Sequence, residues 1–151
     1  MPTPDALTVA LTYFDGWNRH DVEAIVATMS DAYVYDSDAN PGPVRGPGEF
    51  RSFAQTFLTA FPDLAFDVRP ATTSDGAVVA QWTATGTHRG ALMGAPPSGG
   101  RLALRGCDVT RVERGRMVHT AAYWDSATLV RQIGAAPAPA LARADAAGGL
   151  A

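Results

Sequence analysis

The sequence predicts an α+β domain in which helices come first and an antiparallel sheet follows. Between residues 5 and 62, apolar side chains recur every three or four positions, as they do on one face of a helix. Between residues 64 and 124 they alternate with polar side chains, as in half-buried strands, and short turns separate the alternating segments. A helix-rich half followed by strands that hairpins connect is typical of the α+β class.

Three helices are predicted in the first part of the chain. Residues 5–19 are predicted to form an amphipathic helix, residues 20–29 a second and shorter one, and residues 48–61 a third that ends just before Pro62. Between the second and third helices, AYVYDSD alternates like a short strand. The following NPGPVRGPG reads as a loop because of its proline and glycine content.

Four strands are predicted next, in segments 64–74, 76–89, 100–113 and 115–124. DGA and ERGR suit the hairpin turns between them, so the strands are expected to form an antiparallel meander. Asp125 then precedes an apolar-periodic segment and can cap a helix there, because its carboxylate can accept backbone N–H bonds.

The composition is that of one globular domain. The chain has 151 residues, 46% of them hydrophobic and 18% charged, which is enough for one substantial core. The domain is expected to cover residues 1–136. Residues 137–151 are rich in Ala, Pro and Gly and are expected to form a flexible tail, because they contain too few large apolar side chains to order themselves.

Charge and targeting patterns limit the partners. The net charge of -3 and the lack of a basic cluster argue against nucleic acid and against an anionic membrane surface. The N-terminal residues lack the pattern of a signal peptide, and no segment approaches the roughly 20 apolar residues of a membrane span. We therefore expect a soluble, cytoplasmic protein.

The sequence lacks the residues or motifs that several kinds of catalysis and metal binding require. The chain has no lysine, which removes Schiff-base catalysis, and its single cysteine, Cys107, excludes an intrachain disulfide and thiolate metal clusters. The three histidines have no close ligand spacing, so no metal site is expected. GxGxxG and GxSxG are absent as well, and we expect no cofactor and no serine triad.

Three motifs carry a resemblance to a known family. They are GTHRG at 86–90, PPSG at 96–99, and the ending that runs from Asp125 to the RQIG of 131–134. With them the sequence resembles the SnoaL-like polyketide cyclases, which belong to the NTF2-like superfamily. The resemblance spans roughly residues 6–135. It implies a curved, mostly antiparallel sheet wrapped around about three helices, a central cavity for a polycyclic or polyketide substrate, and a homodimer or higher homo-oligomer.

The resemblance also implies a catalytic residue. In the family, an Asp at the end of the last strand is the acid/base, and the matching position here is Asp125. Alternation along GRMVHTAAYWD places Met117, His119, Ala121 and Tyr123 on the same face as Asp125. We therefore expect His119 and Tyr123 beside it in the cavity, and count Asp125, Asp108 and His119 as the candidate catalytic residues.

Asp108 is a second candidate carboxylate. It lies on an alternating stripe with Leu102, Leu104 and Thr110 on the neighbouring strand. If this stripe lines the cavity, burial raises the pKa of Asp108 and the group can stay protonated and donate a hydrogen bond. The alternative is that the stripe is a solvated outer face.

Asp36 is a third candidate. Tyr13, Asp36 and Asp108 occur in the order and approximate spacing of the Tyr, base Asp and oxyanion-hole Asp of the steroid isomerases, which share the superfamily fold. The alternatives are that Asp36 starts a turn and that Tyr13 packs within the core.

The substrate-binding candidates combine aromatic walls with polar side chains that can bind a carbonyl group. His88, beside Arg89 at a strand end, can donate or accept a hydrogen bond, although a lone histidine is more often structural. Trp124 and Tyr35 are further possible walls. The predicted set is Tyr13, Trp17, Tyr33, Asp36, Phe53, Trp82, His88, Thr110 and Tyr123.

The leading hypothesis is a cofactor-independent cyclase that closes a ring by intramolecular aldol condensation, with an Asp as acid and base. Three alternatives stay open: a hydroxylase component of a polyketide pathway, an isomerase of the steroid-isomerase kind that uses Asp36, and a non-catalytic ligand-binding module in which Asp125 is only a helix cap. Turnover of a polyketide without added cofactor separates the cyclase and the isomerase from the other two.

Overall fold

The computed structural model describes residues 2–135, which contain four helices and six strands. The predicted tail, residues 137–151, lies outside the described residues. The helices are α1 (Ala6–Asn18), α2 (Val22–Val26), α3 (Gly46–Ala60) and α4 (Ser126–Ile133). The strands are β1 (Met29–Asp36), β2 (Val44–Arg45), β3 (Ala65–Thr72), β4 (Val78–Thr87), β5 (Arg101–Glu113) and β6 (Arg116–Trp124).

The strands form one curved, unclosed sheet in the order β2-β1-β6-β5-β4-β3. The hairpins β3–β4, β4–β5 and β5–β6 are antiparallel, which confirms the predicted meander. Strand β1 pairs with β6 in parallel, so the first strand of the chain lies between the short edge strand β2 and the last strand. The predicted α+β class is confirmed.

Helices α1 and α3 place their apolar faces on the sheet. The Asp5 carboxylate caps α1 by accepting the Thr8 N–H at 2.7 Å, and the helix buries Tyr13 and Trp17 one turn apart. In α3, Phe50 and Ala54 are fully buried at the same spacing. The aromatic side chains of both helices therefore meet above the sheet.

Helix α4 completes the edge of β5 that β6 leaves open. Pairing between the two strands ends at Gly106 and Trp124, so the first residues of β5 have no strand partner on that side. The Gln132 side chain takes this place, since its Oε1 accepts the Ala103 N–H at 2.9 Å and its Nε2 donates to the Ala103 carbonyl at 3.0 Å. Leu129 and Ile133 of the same helix are buried in the core.

Element boundaries differ from the prediction at the start of the sheet. Strand β1 begins three residues before AYVYDSD, and α2 is correspondingly short. The predicted loop at 40–48 contains the two-residue strand β2 and the first turn of α3. No helix among residues 2–135 is long and apolar enough to cross a membrane.

Candidate active site

A narrow cavity lies between the helices and the inner face of the sheet. It holds about 60 Å³ of space for water-sized molecules. Within residues 2–135, its walls are apolar apart from the polar tips of aromatic side chains and one carboxyl group, and no basic residue of this range lines it. The aromatic lining residues are Tyr13, Phe14, Trp17, Tyr35, Phe53, Phe57, Phe66, Trp82 and Trp124. The others are Leu64, Ala84, Leu102, Leu104 and Asp108.

Among the described residues, Asp108 is the one acidic residue in the cavity wall. It faces inward from the middle of β5 and is 4% exposed, on the same stripe as the buried Leu102, Leu104 and Thr110. Its Oδ1 accepts the indole N–H of Trp82 at 2.9 Å. The alternation along β5 therefore predicts this placement, and the alternative of a solvated outer face is wrong.

The environment of Asp108 favours its neutral form. Burial raises the pKa of Asp108 to about 7, and the hydrogen bond from Trp82 acts in the opposite direction. Both protonation states are therefore populated near neutral pH. A carboxyl group tuned in this way can accept a proton in one step and return it in another.

The other polar atoms of the cavity are hydrogen-bond donors. Burial raises the pKa of Tyr13 and of Tyr35 well above the ordinary value, so both phenols keep their protons. The Tyr35 oxygen accepts the indole N–H of Trp124 at 3.2 Å, which leaves its own O–H free to donate. The buried Trp17 indole N–H has no partner among the described residues. These groups can bind the oxygen of a carbonyl, an enolate or an alkoxide.

The structure places Asp125 outside the cavity. Its carboxylate caps α4, since Oδ1 accepts the Ala127 N–H at 3.0 Å and Oδ2 accepts the Thr128 hydroxyl at 2.7 Å. The Thr128 bonds hold the pKa of this exposed group below its ordinary value. The expectation of an acid/base carboxylate held in an apolar pocket is wrong in its placement, because Asp125 is ionised, exposed and occupied as a cap.

His119 and Tyr123 also lie away from the cavity. Residues directly opposite each other on antiparallel strands share a face, and Asp108 opposes Ala122. Ala122 and its neighbour in alternation, Trp124, therefore face inward, whereas His119 and Tyr123 lie on the outer face of the sheet. Tyr123 is 63% exposed there. The expected inner face of β6 is thus reversed over this part of the strand.

Two other predicted residues serve elsewhere in the fold. Asp36 is exposed at the end of β1, because alternation turns it away from the cavity that Tyr35 lines. His88 is fully buried against the Phe61 ring, and its Nδ1 binds Ser98, with the Ser98 hydroxyl at 2.8 Å. It therefore ties the PPSG loop to the end of β4 and does not line the cavity.

The remaining predicted residues divide into two groups. Tyr13, Trp17, Phe53 and Trp82 line the cavity together with Asp108. Tyr33 and Thr110 are buried but are not among the lining residues; the Thr110 hydroxyl is 3.0 Å from that of Thr120 on β6.

Sequence reasoning missed three aromatic walls. Phe57 follows Phe53 by one helical turn, and Phe66 packs on Trp17 and on Trp82 with ring centroids 5.6 Å and 5.3 Å apart. Phe14, next to Tyr13, is the third. The i, i+4 spacing in α3 was a usable signal for Phe57. The position of Phe66 depends on packing between distant elements, which the sequence does not display.

The described part of the chain contains no group of three or more His, Cys, Asp or Glu residues that could hold a metal ion. The polar groups at the cavity include the phenols of Tyr13 and Tyr35, which are neutral at pH 7, and Asp108, which is only partly ionised there. The donor set therefore suits an uncharged organic ligand.

A curved sheet that encloses an apolar cavity with a buried carboxyl group defines a cone-shaped domain of the NTF2-like type. The sequence model of the SnoaL-like polyketide cyclases matches residues 7–133, and the chain belongs to this family. The resemblance noted in the sequence is confirmed. No curated protein is significantly similar in sequence to the chain.

Solved structures share the fold. AclR from Streptomyces galilaeus, a proposed hydroxylase, is 27% identical with a TM-score of 0.75, and the match covers 87% of this chain and 97% of AclR. A proposed SnoaL-like polyketide cyclase from Jannaschia sp. CCS1 is 23% identical with a TM-score of 0.77, covering 87% and 93%. IdmH from Streptomyces antibioticus, a proposed polyketide cyclase, is 24% identical with a TM-score of 0.73, covering 87% and 99%. At 23% and 24% identity the likeness shows the fold alone.

Proposed function

We propose that this protein is a cofactor-independent polyketide cyclase that closes a ring by intramolecular aldol condensation, with Asp108 as the acid and base. The observation that carries the proposal is a single carboxyl group, 4% exposed and with a pKa of about 7, in a cavity whose other walls are aromatic or aliphatic. Such a group exchanges protons readily at neutral pH. Membership of the polyketide cyclase family supports a cyclase.

The reaction needs one proton to leave carbon and one to reach oxygen. Ionised Asp108 removes a proton alpha to a carbonyl, and the resulting enolate carbon attacks a second carbonyl of the same chain. A carbon–carbon bond forms, and the attacked oxygen becomes an alkoxide. The carboxylic acid of Asp108 then returns its proton to that alkoxide, so the protein ends in its starting state.

The walls supply the rest of the catalysis. Folding a flexible chain into a reactive conformer against apolar walls can contribute up to about 7 to 11 kcal/mol to the barrier reduction. The hydroxyls of Tyr13 and Tyr35 are available to bind the oxygen on which negative charge develops. Since the described residues that line the cavity include no basic side chain, an uncharged substrate group fits it best.

The test is turnover of an aromatic polyketide precursor by purified protein without added cofactor, with product detected by mass spectrometry. Asp108→Asn keeps the size of the side chain and an acceptor for Trp82, but it cannot take up a proton. We expect kcat to fall by about 100-fold to 10,000-fold. Full activity of this variant would exclude Asp108 as the acid/base.

Asp125→Asn is the matched comparison, since it makes the same chemical change outside the cavity. Asn caps helices about as well as Asp, so both the melting temperature and kcat should change little. Asp125→Ala should cost roughly 1 kcal/mol of stability through loss of the cap. A large fall in kcat for Asp125→Asn, with Asp108→Asn active, would return the chemistry to the position that the family resemblance implies.

A hydroxylase component is the second candidate function, because AclR combines 27% identity with coverage of nearly its whole length. Oxidised product that appears only with oxygen and a reductase would favour it over the cyclase. The isomerase alternative has less support, because its candidate base, Asp36, is exposed at the end of β1. A ligand-binding module would bind the polyketide and release it unchanged.

A further inference from the structure

Trp82 and Gly106 form an unusually close pair beside the candidate catalytic group. They face each other in register on β4 and β5, and the Trp82 indole lies across the Gly106 backbone. A Cβ atom at position 106 would overlap the Trp82 ring atoms Cζ2, Cε2 and Cη2. A residue with any side chain would therefore force the indole out of this position.

The position of the indole determines what its N–H reaches. With the ring across Gly106, Nε1 lies 2.9 Å from Oδ1 of Asp108, the next inward-facing residue of β5. Phe66 holds the ring from the other side with an edge-to-face contact at 5.3 Å. Among the described residues, Trp82 is the only hydrogen-bond partner of the Asp108 carboxyl group.

This single bond makes the two oxygens of Asp108 unequal. An indole N–H is a donor only, and the better acceptor of a neutral carboxylic acid is its carbonyl oxygen. With Oδ1 engaged as that acceptor, the acid proton resides on Oδ2. This is the oxygen that the protein leaves free for a ligand.

We propose that Trp82 is a positioning residue whose N–H occupies Oδ1 of Asp108, so that Oδ2 exchanges the proton with substrate. Gly106 is required because only a residue without a side chain leaves room for the indole. The inference rests on the proposed function of Asp108. It differs from the sequence-based view of Trp82 as a stacking wall, since the N–H and the absent side chain at 106 become the decisive features.

The groups that face Asp108 from the packed elements leave its titration simple. They are Tyr13 on α1 and Tyr33 and Tyr35 on β1; the adjacent Cys107 lies on the outer face of the sheet. Burial raises the pKa of all four, so each stays neutral between pH 5 and 8. A change in the titration of Asp108 in this range therefore reports on its own hydrogen bond.

The first measurement needs no substrate. Protein labelled with ¹³C at aspartate carboxyl carbons is titrated by NMR, and Asp108→Asn assigns the signal. Wild type should titrate near pH 7. Trp82→Phe keeps an aromatic ring and removes only the N–H that stabilises the carboxylate, so the midpoint should rise by about one pH unit.

Trp124→Phe is the matched control for this titration. It also removes an indole N–H from the cavity wall, but that N–H donates to Tyr35. The Asp108 midpoint should stay where it is in wild type. Gly106→Ala should raise it as Trp82→Phe does, because it displaces the indole; if Gly106→Ala does not fold, Trp82→Phe decides alone.

The second measurement is the pH profile of turnover. If the midpoint rises from about 7 to about 8, the ionised fraction of Asp108 at pH 7 falls about fivefold. The kcat of Trp82→Phe should fall accordingly at pH 7, with KM changed less, and should largely return at pH 9. General structural damage would not be reversed by raising the pH.

An unchanged NMR midpoint in Trp82→Phe overturns the inference, as does a loss of kcat that high pH does not restore. A fully active Asp108→Asn variant is a different failure, since it refutes the acid/base role of Asp108 whatever the titration shows.

Discussion

Asp108 makes the stability of the domain depend on pH. Its pKa is about 7 in the folded protein, above the value near 3.9 of an unfolded aspartate. Between these values the folded state keeps a proton that the unfolded chain releases, so rising pH stabilises the unfolded state. The contribution of this residue to stability is present in full below about pH 4 and declines until about pH 7.

We therefore expect the stability of Asp108→Asn relative to wild type to increase as the pH rises. Asn fills the same volume and does not titrate, so the difference in the free energy of unfolding should change by up to about 1.4 kcal/mol per pH unit between roughly pH 4 and 7. Urea unfolding of both proteins at pH 4, 5, 6 and 7 measures it. A constant difference across this range would show that the carboxyl group is not protonated in the folded state.

At the scale of elements, the alternation of side chains correctly predicts that Asp108 faces the cavity, but it predicts the wrong inward face for the last strand, β6. In β5 the stripe from Leu102 to Thr110 runs without interruption, so period 2 correctly placed Asp108 inside. In β6 the register shifts beside Val112, with one extra residue between Met117 and His119. Met117 and Thr120 are consequently both buried, three positions apart, and the phase of alternation changes.

The other features that the sequence does not predict have the same physical origin, which is pairing between distant parts of the chain. The parallel register of β1 with β6 joins residues nearly 90 positions apart, and only local turn signals are visible in the sequence. The Asp125 motif illustrates this limit. Its local meaning, a cap before Ser126, was readable, whereas its position relative to the cavity depended on where β6 lies in the sheet.

Gln132 provides a prediction for α4. Its amide group satisfies both the N–H and the C=O of Ala103, as a neighbouring strand would. Gln132→Ala should cost roughly 1 to 2 kcal/mol, because two backbone groups lose their partner at a partly solvated edge. Chemical denaturation measures the change. Gln55→Ala on the exposed side of α3 is the control and should stay within about 0.5 kcal/mol of wild type; equal losses in the two variants would contradict a specific role of Gln132.

At the scale of the whole molecule, one set of aromatic side chains forms both the core and the cavity wall. Phe50 is fully buried and contacts the rings of Tyr13, Trp17 and Tyr35, which line the cavity. The inner face of the sheet is thus covered by helices, and the outer face is left to solvent. A row across four strands on that face consists of Arg69, Gln81, Cys107 and Tyr123.

The homodimer implied by the family resemblance stays a prediction, and this outer face is where we expect it to form. Tyr123 offers a large, 63% exposed ring, and Asp67 with Arg69 and Arg105 gives the face both charge signs. A two-fold axis can place Asp67 of one protomer opposite Arg69 or Arg105 of its partner. Light scattering should then give twice the monomer mass of 15.8 kDa for wild type and the monomer mass for Tyr123→Asp. Leu11→Asp, which adds the same charge at a 44% exposed site on α1, should remain dimeric. A monomeric wild type, or a dimer that Leu11→Asp disrupts and Tyr123→Asp does not, would contradict an interface on the sheet.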